Sequence, residues 1–581
     1  MHVEDSSRLA VGSFNKKWAA IWFFVMVIAA FQLFWGLGEV PFIDRDEGEY
    51  ATVAQSMIQR DDYVIPHVNG RPYYEKPALY FWLMTGSFAL FGQNEAAARL
   101  PSALAGLVLA GIMGWFGTRR GGRVFGLLSA LFTITSLLMA LLARVALMDM
   151  LLTLWVSMTL IFFFEGYIAC SGRDSRFFWS AWAAMGLAFL TKGPVGVAVP
   201  VLVVLGLTIW NGNLWPTILR SQIPLGLLIF TAIAGPWYGL AFMREGQNFW
   251  QGFFVSQNIS RFTDVLLGHG APLWFYLPVL IIGWWPWSIF AIPRTYKAVT
   301  AGRESRKNDP DLALDFFLAS WLLGALLLFS LAQTKQPNYI LPAGPPLIML
   351  AARWWTDHLS AKPSGRSNGW GIAAAILGLV LAVGLMALDT LSVTAYEKAK
   401  IAINVDAFEY AFQTLAPELG KAPLIIGVLT GLAIIAALVG QNRRLPSATL
   451  AGFLISLLIL VNGLFHGVAP IMLDYLQTPA KTLSLQVGQE MKSGDYLGTY
   501  GLYKPTLWFY TGHNIERIKS ADVDQLETFL AREKRAWLLS RTSLKTKLDR
   551  QPRFRLLKTA GGYLLGDNQG GERSNQEGRG Q

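Results

Sequence analysis

Apolar residues fall along this chain in runs of about twenty separated by short polar stretches, a spacing that predicts membrane-crossing helices. At about 1.5 Å rise per residue, such a run spans a hydrocarbon core of roughly 30 Å. The first extends from Trp18 to Leu37. Others lie near 98–117, 123–142, 150–168, 177–192, 194–210 and 222–241, and a second series near 272–292, 313–332, 338–352, 370–389, 423–440 and 447–467. Together they predict a polytopic α-helical membrane protein with about thirteen transmembrane helices. The gap between 192 and 194 is so short that one long kinked helix is the alternative there. That alternative would reverse the sidedness of everything after it.

Between the first two runs the pattern changes. In the loop 39–97, Tyr50, Val53, Ala54, Met57 and Ile58 follow the i, i+3, i+4, i+7, i+8 spacing of an amphipathic helix, predicted to lie in the membrane interface. The run Tyr80–Phe91 is too short to span and reads as a second interfacial or re-entrant helix. Plain packing against neighbouring helices is the competing reading of both. After Gly467 apolar content drops. Lys481–Lys492 and Asp522–Arg532 read as helices, and Tyr496–Tyr500, Ala536–Ser540, Arg553–Leu557 and Tyr563–Leu565 as strands. The predicted organisation is a terminus of residues 1–17, a transmembrane domain of 18–468, a small α/β domain of 469–566 and a disordered tail of 567–581.

Composition narrows the class. Of the 581 residues 53% are hydrophobic and only 15% charged, well below the roughly 25% of soluble domains. The formal charge of +11 is spread through short loops and forms no basic patch with interleaved aromatics, which argues against nucleic acid and for topology and membrane lipid. Lys16/Lys17, Arg119/Arg120/Arg123, Arg173/Arg176, Arg220, Arg294 to Lys307, Arg353 to Arg366 and Arg443/Arg444 all fall on one side if the spans alternate, and that side is cytoplasmic. The opening loop, the Asp149 turn, the 242–271 and 390–422 loops and the C-terminal region then lie on the outer face. The first run is too long for a signal-peptide core and reads as a retained helix. A single cysteine, Cys170, excludes an internal disulfide and a cysteine-based zinc cluster.

The candidate chemistry lies in that outer layer. Asp46 and Asp149 are carboxylates expected at the same depth, and Glu75 and Lys76 in YYEKP add an acid and a cation beside them. Such a rim over a lipid-facing cavity suits a polyprenyl-phosphate substrate: a lysine binds the phosphate as a point charge, and a carboxylate takes a proton or orients a hydroxyl. Lys192, Arg261 and Lys335 are further outer-side cations, each of which alone would read as snorkelling to the interface. Arg144 is a candidate ion-pair partner for Asp149. His67 and His269 stand in outer loops without a second histidine at helical spacing and read as loop residues. No Walker-type phosphate loop is present.

These residues carry a resemblance. DEGEYA at 46–51, DDYVIPHVNGRPYYEKP at 61–77, Arg99 with Pro101 and Ser102, the Asp149 turn, LAFLTKGP at 187–194, Arg261 with Phe262, and TKQPNYILPAGPPL at 334–347 resemble, in order, the bacterial aminoarabinose transferase and protein mannosyltransferase superfamily. The resemblance implies a C-type (GT-C) glycosyltransferase fold of about thirteen spans with a C-terminal α/β domain in the periplasm, set in the inner membrane with its active site on the periplasmic face. It implies a lipid-phosphate-sugar-dependent transferase moving a sugar from polyprenyl (undecaprenyl) phosphate to lipid A or a related glycolipid. The alternatives are transfer to Ser/Thr of a protein, or a transporter of lipid-linked sugars. The resemblance further implies that Asp46 and Asp149 are the essential carboxylates, that Glu75 and Lys76 flank the donor phosphate, and that Lys192, Arg261 and Tyr339 are phosphate or cavity contacts, with Lys335 placed by its motif. It implies no certain cofactor and leaves room for a divalent metal. Two positions depart from the aminoarabinose transferase pattern: Glu49 stands where an arginine is usual, and Ser256, Gln257 and Asn258 precede Arg261 and Phe262 where histidine or glutamate is usual.

Overall fold

In the computed structural model, residues 16–169, 175–264, 270–360, 369–387 and 419–569 are described. Each predicted apolar run falls on helix. Helices α1 (Lys16–Phe34), α2 (Asp46–Arg60), α3 (Leu79–Phe91), α4 (Glu95–Thr135), α5 (Leu137–Ala143), α6 (Asp149–Ile168), α7 (Ser175–Lys192) and α8 (Val195–Asn211) open the chain. Among the described residues eight helices are long and apolar enough to cross a membrane, or nine if the segments Leu273–Gly283 and Trp287–Thr300, bent by 118°, form one broken span. The remaining predicted runs are helices that are shorter or more polar.

Two glycine turns make hairpins of what could have been long helices. The backbone of α4 leaves helical geometry at Gly121 and Gly122, the latter at φ 84. A Cβ on Gly117 would stand 2.9 Å from the Gly126 Cα, so the two arms fold back at the close approach that small residues permit. The break after Lys192 is likewise a hairpin, with Gly193 at φ +74 and a Cβ on Gly196 falling 2.5 Å from the Ala188 carbonyl carbon. A continuous helix would hold those two residues about 12 Å apart. The two runs are therefore separate helices of a hairpin and not one long kinked helix.

Helix α6 measures the distance between two polar layers. Its first residue, Asp149, pairs with Lys192, while Glu165, sixteen residues or about 24 Å along the axis, pairs with Arg119 and Arg120. Arg294 and Arg353 share the buried Asp315 in a second ion-pair cluster, and Arg353 lies over Phe125, in the return arm of α4. Basic groups assigned to one side by sequence thus gather at one end of the bundle, away from the predicted site.

The interfacial helices come out differently from each other. Tyr50, Val53, Ala54 and Met57 of α2 are buried, but against protein: Tyr50 meets Tyr80 and Phe81 of α3 edge-on at 6.2 and 5.5 Å. The competing packing reading is correct for α2. Helix α3 buries Tyr80, Phe81, Met84 and Phe88 and keeps Leu83, Leu90 and Phe91 exposed. A two-stranded hairpin, β1 (His67–Val68) and β2 (Arg71–Pro72), lies between them.

The C-terminal region is a five-stranded mixed sheet of order β4-β3-β5-β7-β6, from β3 (Tyr496–Tyr500), β4 (Glu516–Ile518), β5 (Ala536–Arg541), β6 (Arg555–Ala560) and β7 (Tyr563–Asp567). Strand β3 runs parallel to β4 and β5, and β7 antiparallel to β5 and β6. Alternation along the strands makes two small cores. Leu497, Trp537, Leu539 and Leu565 pack on Ala480, Leu483 and Val487 of the helix Ala469–Glu490; Tyr500, Leu538 and Leu564 pack on Leu526, Phe529 and Leu530 of the helix Val523–Leu530. Strand β4 and the helix Thr506–Thr511 carry no alternation long enough to be read from sequence.

One buried ion pair ties these parts together. Glu47 and Arg99 are 1% and 2% exposed and pair through both carboxylate oxygens at 2.9 Å. Arg99 also donates to the carbonyls of Leu37, Val40 and Pro41, and Glu47 accepts from the amides of Ile43 and Ala146. Removing one partner of such a pair costs roughly 3–5 kcal/mol. Glu47→Ala is expected to lower stability by about 3 kcal/mol in thermal unfolding of the detergent-solubilised protein. Glu47→Leu combined with Arg99→Met is expected to leave most of that loss, because the backbone groups the pair satisfies would remain unpaired; full recovery would show that the pair acts only on itself.

Candidate functional site

The site is assembled where four chain turns meet at one end of the bundle. Glu47, the residue after Asp46, accepts the Ala146 amide at 2.6 Å, three residues before Asp149. Ser102 adds a second tie to the same turn, donating to the Leu147 carbonyl at 2.8 Å while bonded to the Tyr80 hydroxyl. The start of α2 and the start of α6 are thereby fixed relative to each other. Between them stands the buried Tyr50 hydroxyl. Burial first, and then the Asp46 and Asp149 carboxylates, hold it un-ionised well above the usual phenol range.

Asp149 is buried and accepts from Lys192 Nζ at 2.6 Å. The Lys192 ammonium also lies 4.6 Å from the centre of the Tyr339 ring, a cation–π distance. Arg144 is not the partner of Asp149: it donates to the Gln32 carbonyl and stacks over Phe465. The hairpin turn after α7 swings Lys192 back onto α6, which is why the partner lies 43 residues away instead of five.

Lys192, Tyr339, Glu75 and Lys76 line one cavity of about 500 Å³. The rest of its wall is mostly apolar, with Leu152, Val195, Trp250, Phe254, Ile259, Leu328 and Phe329, and Gln257 and Asn258 are polar exceptions. Trp250 and Ile259 are exposed as well as lining, so the cavity opens through a greasy mouth. Lys76 is buried, with its ammonium 3.3 Å from the Glu75 carbonyl. The arrangement is a mostly hydrophobic cavity with two lysines and one carboxylate in its wall, able to hold a chain molecule with an anionic head.

The predicted residues do not all converge. Asp46 is the exposed first residue of α2, beside Tyr50 and outside the cavity lining. Lys335 is buried and turned onto the Ala332 carbonyl at 2.5 Å, while its neighbour Thr334 lines the cavity. Arg261 belongs to the short helix Ser260–Thr263, between lining residues Ile259 and Thr263, and its side chain lies outside the described residues, as do Cys170 and His269. His67 sits in β1 with its Nδ1 2.8 Å from the Ile65 carbonyl. No group of three potential metal ligands occurs among the described residues.

Three features escaped the sequence reading. Glu47 looked like one more charge in an acidic run, although it is the buried one. Glu49, noticed only as a departure, is pushed up to about 7 by burial first and then by the Glu75 charge, with Tyr73 offsetting part of the rise. Third, the C-terminal region reaches the site: Lys504 pairs with Asp44 at 2.5 Å, the Thr506 amide donates to Asp44 at 3.1 Å, and Arg45 stacks over Tyr503. Tyr510 donates to Glu95 at 2.8 Å and accepts from the Phe42 amide at 2.9 Å. Gly48 lets this contact close, since a Cβ there would meet Thr506 at 2.5 Å.

Comparison with known proteins places this geometry. Residues 75–239 match a family model described as dolichyl-phosphate-mannose-protein mannosyltransferase. A protein of Yersinia pestis named undecaprenyl phosphate-alpha-4-amino-4-deoxy-L-arabinose arabinosyl transferase is 31% identical over 375 residues, 62% of this chain and 65% of its own length. Its namesake from Yersinia enterocolitica is 33% identical over 351 residues, 58% and 61% of the two chains. The chain thus spans just under two thirds of the length of the curated relatives it matches. Among solved structures, ArnT from Cupriavidus metallidurans bound to undecaprenyl phosphate superposes with TM-score 0.77 at 24% identity, covering 95% of this chain and 98% of that one; its apo form gives 0.76 at 23% identity over the same shares. This is the fold of a multi-pass membrane protein of the ArnT type, and the sequence resembles the aminoarabinose transferase and protein mannosyltransferase superfamily.

Proposed function

We propose that this chain is a glycosyltransferase of the inner membrane that moves a sugar from a polyprenyl phosphate, of the undecaprenyl class, to a phosphoglycolipid acceptor such as lipid A on the outer face. The carrying observation is the cavity: apolar along its length, open through exposed Trp250 and Ile259, and ended by Lys76 and Lys192 beside Glu75 and Tyr339. A polyprenyl chain needs the first part and its phosphate the second. The names of the sequence relatives and the undecaprenyl phosphate bound to the structural neighbour point the same way.

In this reading the donor enters sideways from the lipid. Lys76 and Lys192 meet its phosphate, with Arg261 joining from the 260–263 helix. An acceptor oxygen forms a bond to the anomeric carbon from the opposite side, inverting it. The carbon–oxygen bond to the phosphate breaks, and its electron pair leaves with the polyprenyl phosphate. Charge grows on that leaving group, where fixed cations stabilise it most. Asp149 acts through Lys192, accepting from its ammonium at 2.6 Å and so holding it 4.6 Å from the centre of the Tyr339 ring. Asp46, exposed at the α2 N-terminus, orients the acceptor; a phosphate acceptor is already anionic and needs no base, whereas a Ser/Thr hydroxyl would need one. The family model's protein-mannosyltransferase description keeps a protein acceptor as the second reading.

Glu49 adds a pH response. Its carboxyl, ordinarily near 4.5 and here near 7, is protonated in the fold at mildly acid pH and ionises into a group that already holds Asp46 and Glu75. Ionisation is opposed by the fold, so the stability it contributes is full below pH 4.5 and lost as pH rises through 7. The loss is on the order of 3 kcal/mol.

Two outcomes follow. In labelled-sugar transfer by the purified protein in lipid nanodiscs, Asp149→Asn and Lys192→Met are each expected to slow transfer roughly 100-fold and raise the donor KM, while Asp46→Asn slows transfer with the donor KM little changed. Wild-type rates in all three variants would remove the proposed site. In thermal unfolding, the wild type is expected to lose stability between pH 5 and pH 8, and Glu49→Gln to lack that loss; parallel pH profiles would place the Glu49 ionisation elsewhere.

A further inference from the structure

A second cleft, of about 180 Å³, lies beside the C-terminal half of α2 and is walled by α2, the β1–β2 hairpin and the segment 508–514 of the C-terminal region. It is smaller and more polar than the donor cavity. Its lining is amide, imidazole and indole, with Gln59, Asn514, His67, His513 and Trp508 among the side chains, Arg60 as a cation at the end of α2, and no Asp or Glu. It is smaller than the roughly 300–1,000 Å³ of drug-sized sites, near the size of one or two rings.

The walls are held together by bonds that several of the lining residues make themselves. Asn69 spans the junction, donating to the Ile515 carbonyl at 2.9 Å and accepting the Ile515 amide at 2.7 Å. Ser56 donates to the His67 carbonyl at 2.6 Å, and His67 Nδ1 donates to the Ile65 carbonyl, which leaves Nε2 an acceptor in the neutral ring. Gln59, Arg60, His513 and Asn514 are exposed and Trp508 is half-buried. Side-chain amides bond vicinal hydroxyls in pairs, an indole stacks on the apolar face of a sugar ring, and an arginine guanidinium suits a phosphate. Gln55, at the inner end of the cleft, is nine residues from Asp46 on the same helix, about 14 Å along its axis. Nine residues also carry Gln55 half a turn round α2 from Asp46, so a headgroup that spans both passes round the helix as well as along it.

We propose that this cleft is a saccharide subsite for the acceptor, gripping a phosphorylated amino-sugar headgroup while its reacting end lies at Asp46. The subsite rests on the glycolipid-acceptor reading above and gives the C-terminal sheet region a role in acceptor choice, since it supplies Trp508, His513 and Asn514.

The test uses the full-length protein in nanodiscs and the glucosamine disaccharide of lipid A stripped of its acyl chains, with and without its phosphates. Saturation-transfer NMR is expected to show both forms contacting the wild type, the phosphorylated form more strongly, and the contact to disappear in the Gln59→Ala/Asn514→Ala variant. Both residues are exposed, so the variant is expected to fold. Signals absent in the wild type, or unchanged in the variant, would overturn the subsite. In the transfer assay the same variant is expected to raise the acceptor KM roughly tenfold without moving the donor KM; equal acceptor KM values would overturn the subsite while leaving sugar transfer in place. Binding of the disaccharide with no transfer to it would keep the subsite and remove the acceptor reading instead.

Discussion

The Glu47–Arg99 ion pair is the constraint on which the geometry of this protein depends. Two charges almost without solvent exposure are costly unless every lone pair and proton finds a partner, and here they do. Arg99 spends its remaining donors on three carbonyls just past α1, and Glu47 its remaining oxygen capacity on amides on both sides of the site. The exit from the first span, the start of α2, the fourth helix and the Asp149 turn are therefore one rigid unit. Asp46 and Asp149, a hundred residues apart in sequence, flank the same tyrosine because of it.

That unit divides two environments. On the lipid side lies a slot of aromatic and aliphatic side chains whose inner end carries Lys76 and Lys192. On the water side the C-terminal sheet region closes over α2 through Lys504, Thr506, Tyr510 and Asn69, and so borders the carboxylates. In the proposed reaction a lipid-linked donor and a polar acceptor approach from these two sides without sharing a path. Glu49, in place of the arginine usual among aminoarabinose transferases, sits at that junction and makes the local charge depend on pH near neutrality.

Much of this was legible because hydropathy leaves long marks. Apolar runs gave the helices, and the hairpin at Gly193 keeps apart the two runs whose separation was ambiguous. Family motifs picked out Lys76, Lys192 and Tyr339, which do share a cavity. What stayed hidden depends on distance in space. Nothing local distinguishes Glu47 from Asp46, Glu49 or Asp44; only Arg99 arriving from another helix makes it the buried one. Lys335 has the right residue type in the right motif yet caps its own turn. The apolar face of α2 has the period of an interfacial helix, but α3 covers it, and the six-residue helix at 506–511 leaves no periodicity long enough to read.

The central claim is that this membrane enzyme delivers a lipid-carried sugar to an outer-face phosphoglycolipid. Mass spectrometry of lipid A, surface glycans and envelope proteins, from cells with and without the protein, tests it most directly. The account predicts that one sugar substituent disappears from lipid A or a related glycolipid while protein glycosylation is unchanged. Loss of a sugar from Ser/Thr of envelope proteins, or no change in any of the three classes, would contradict it.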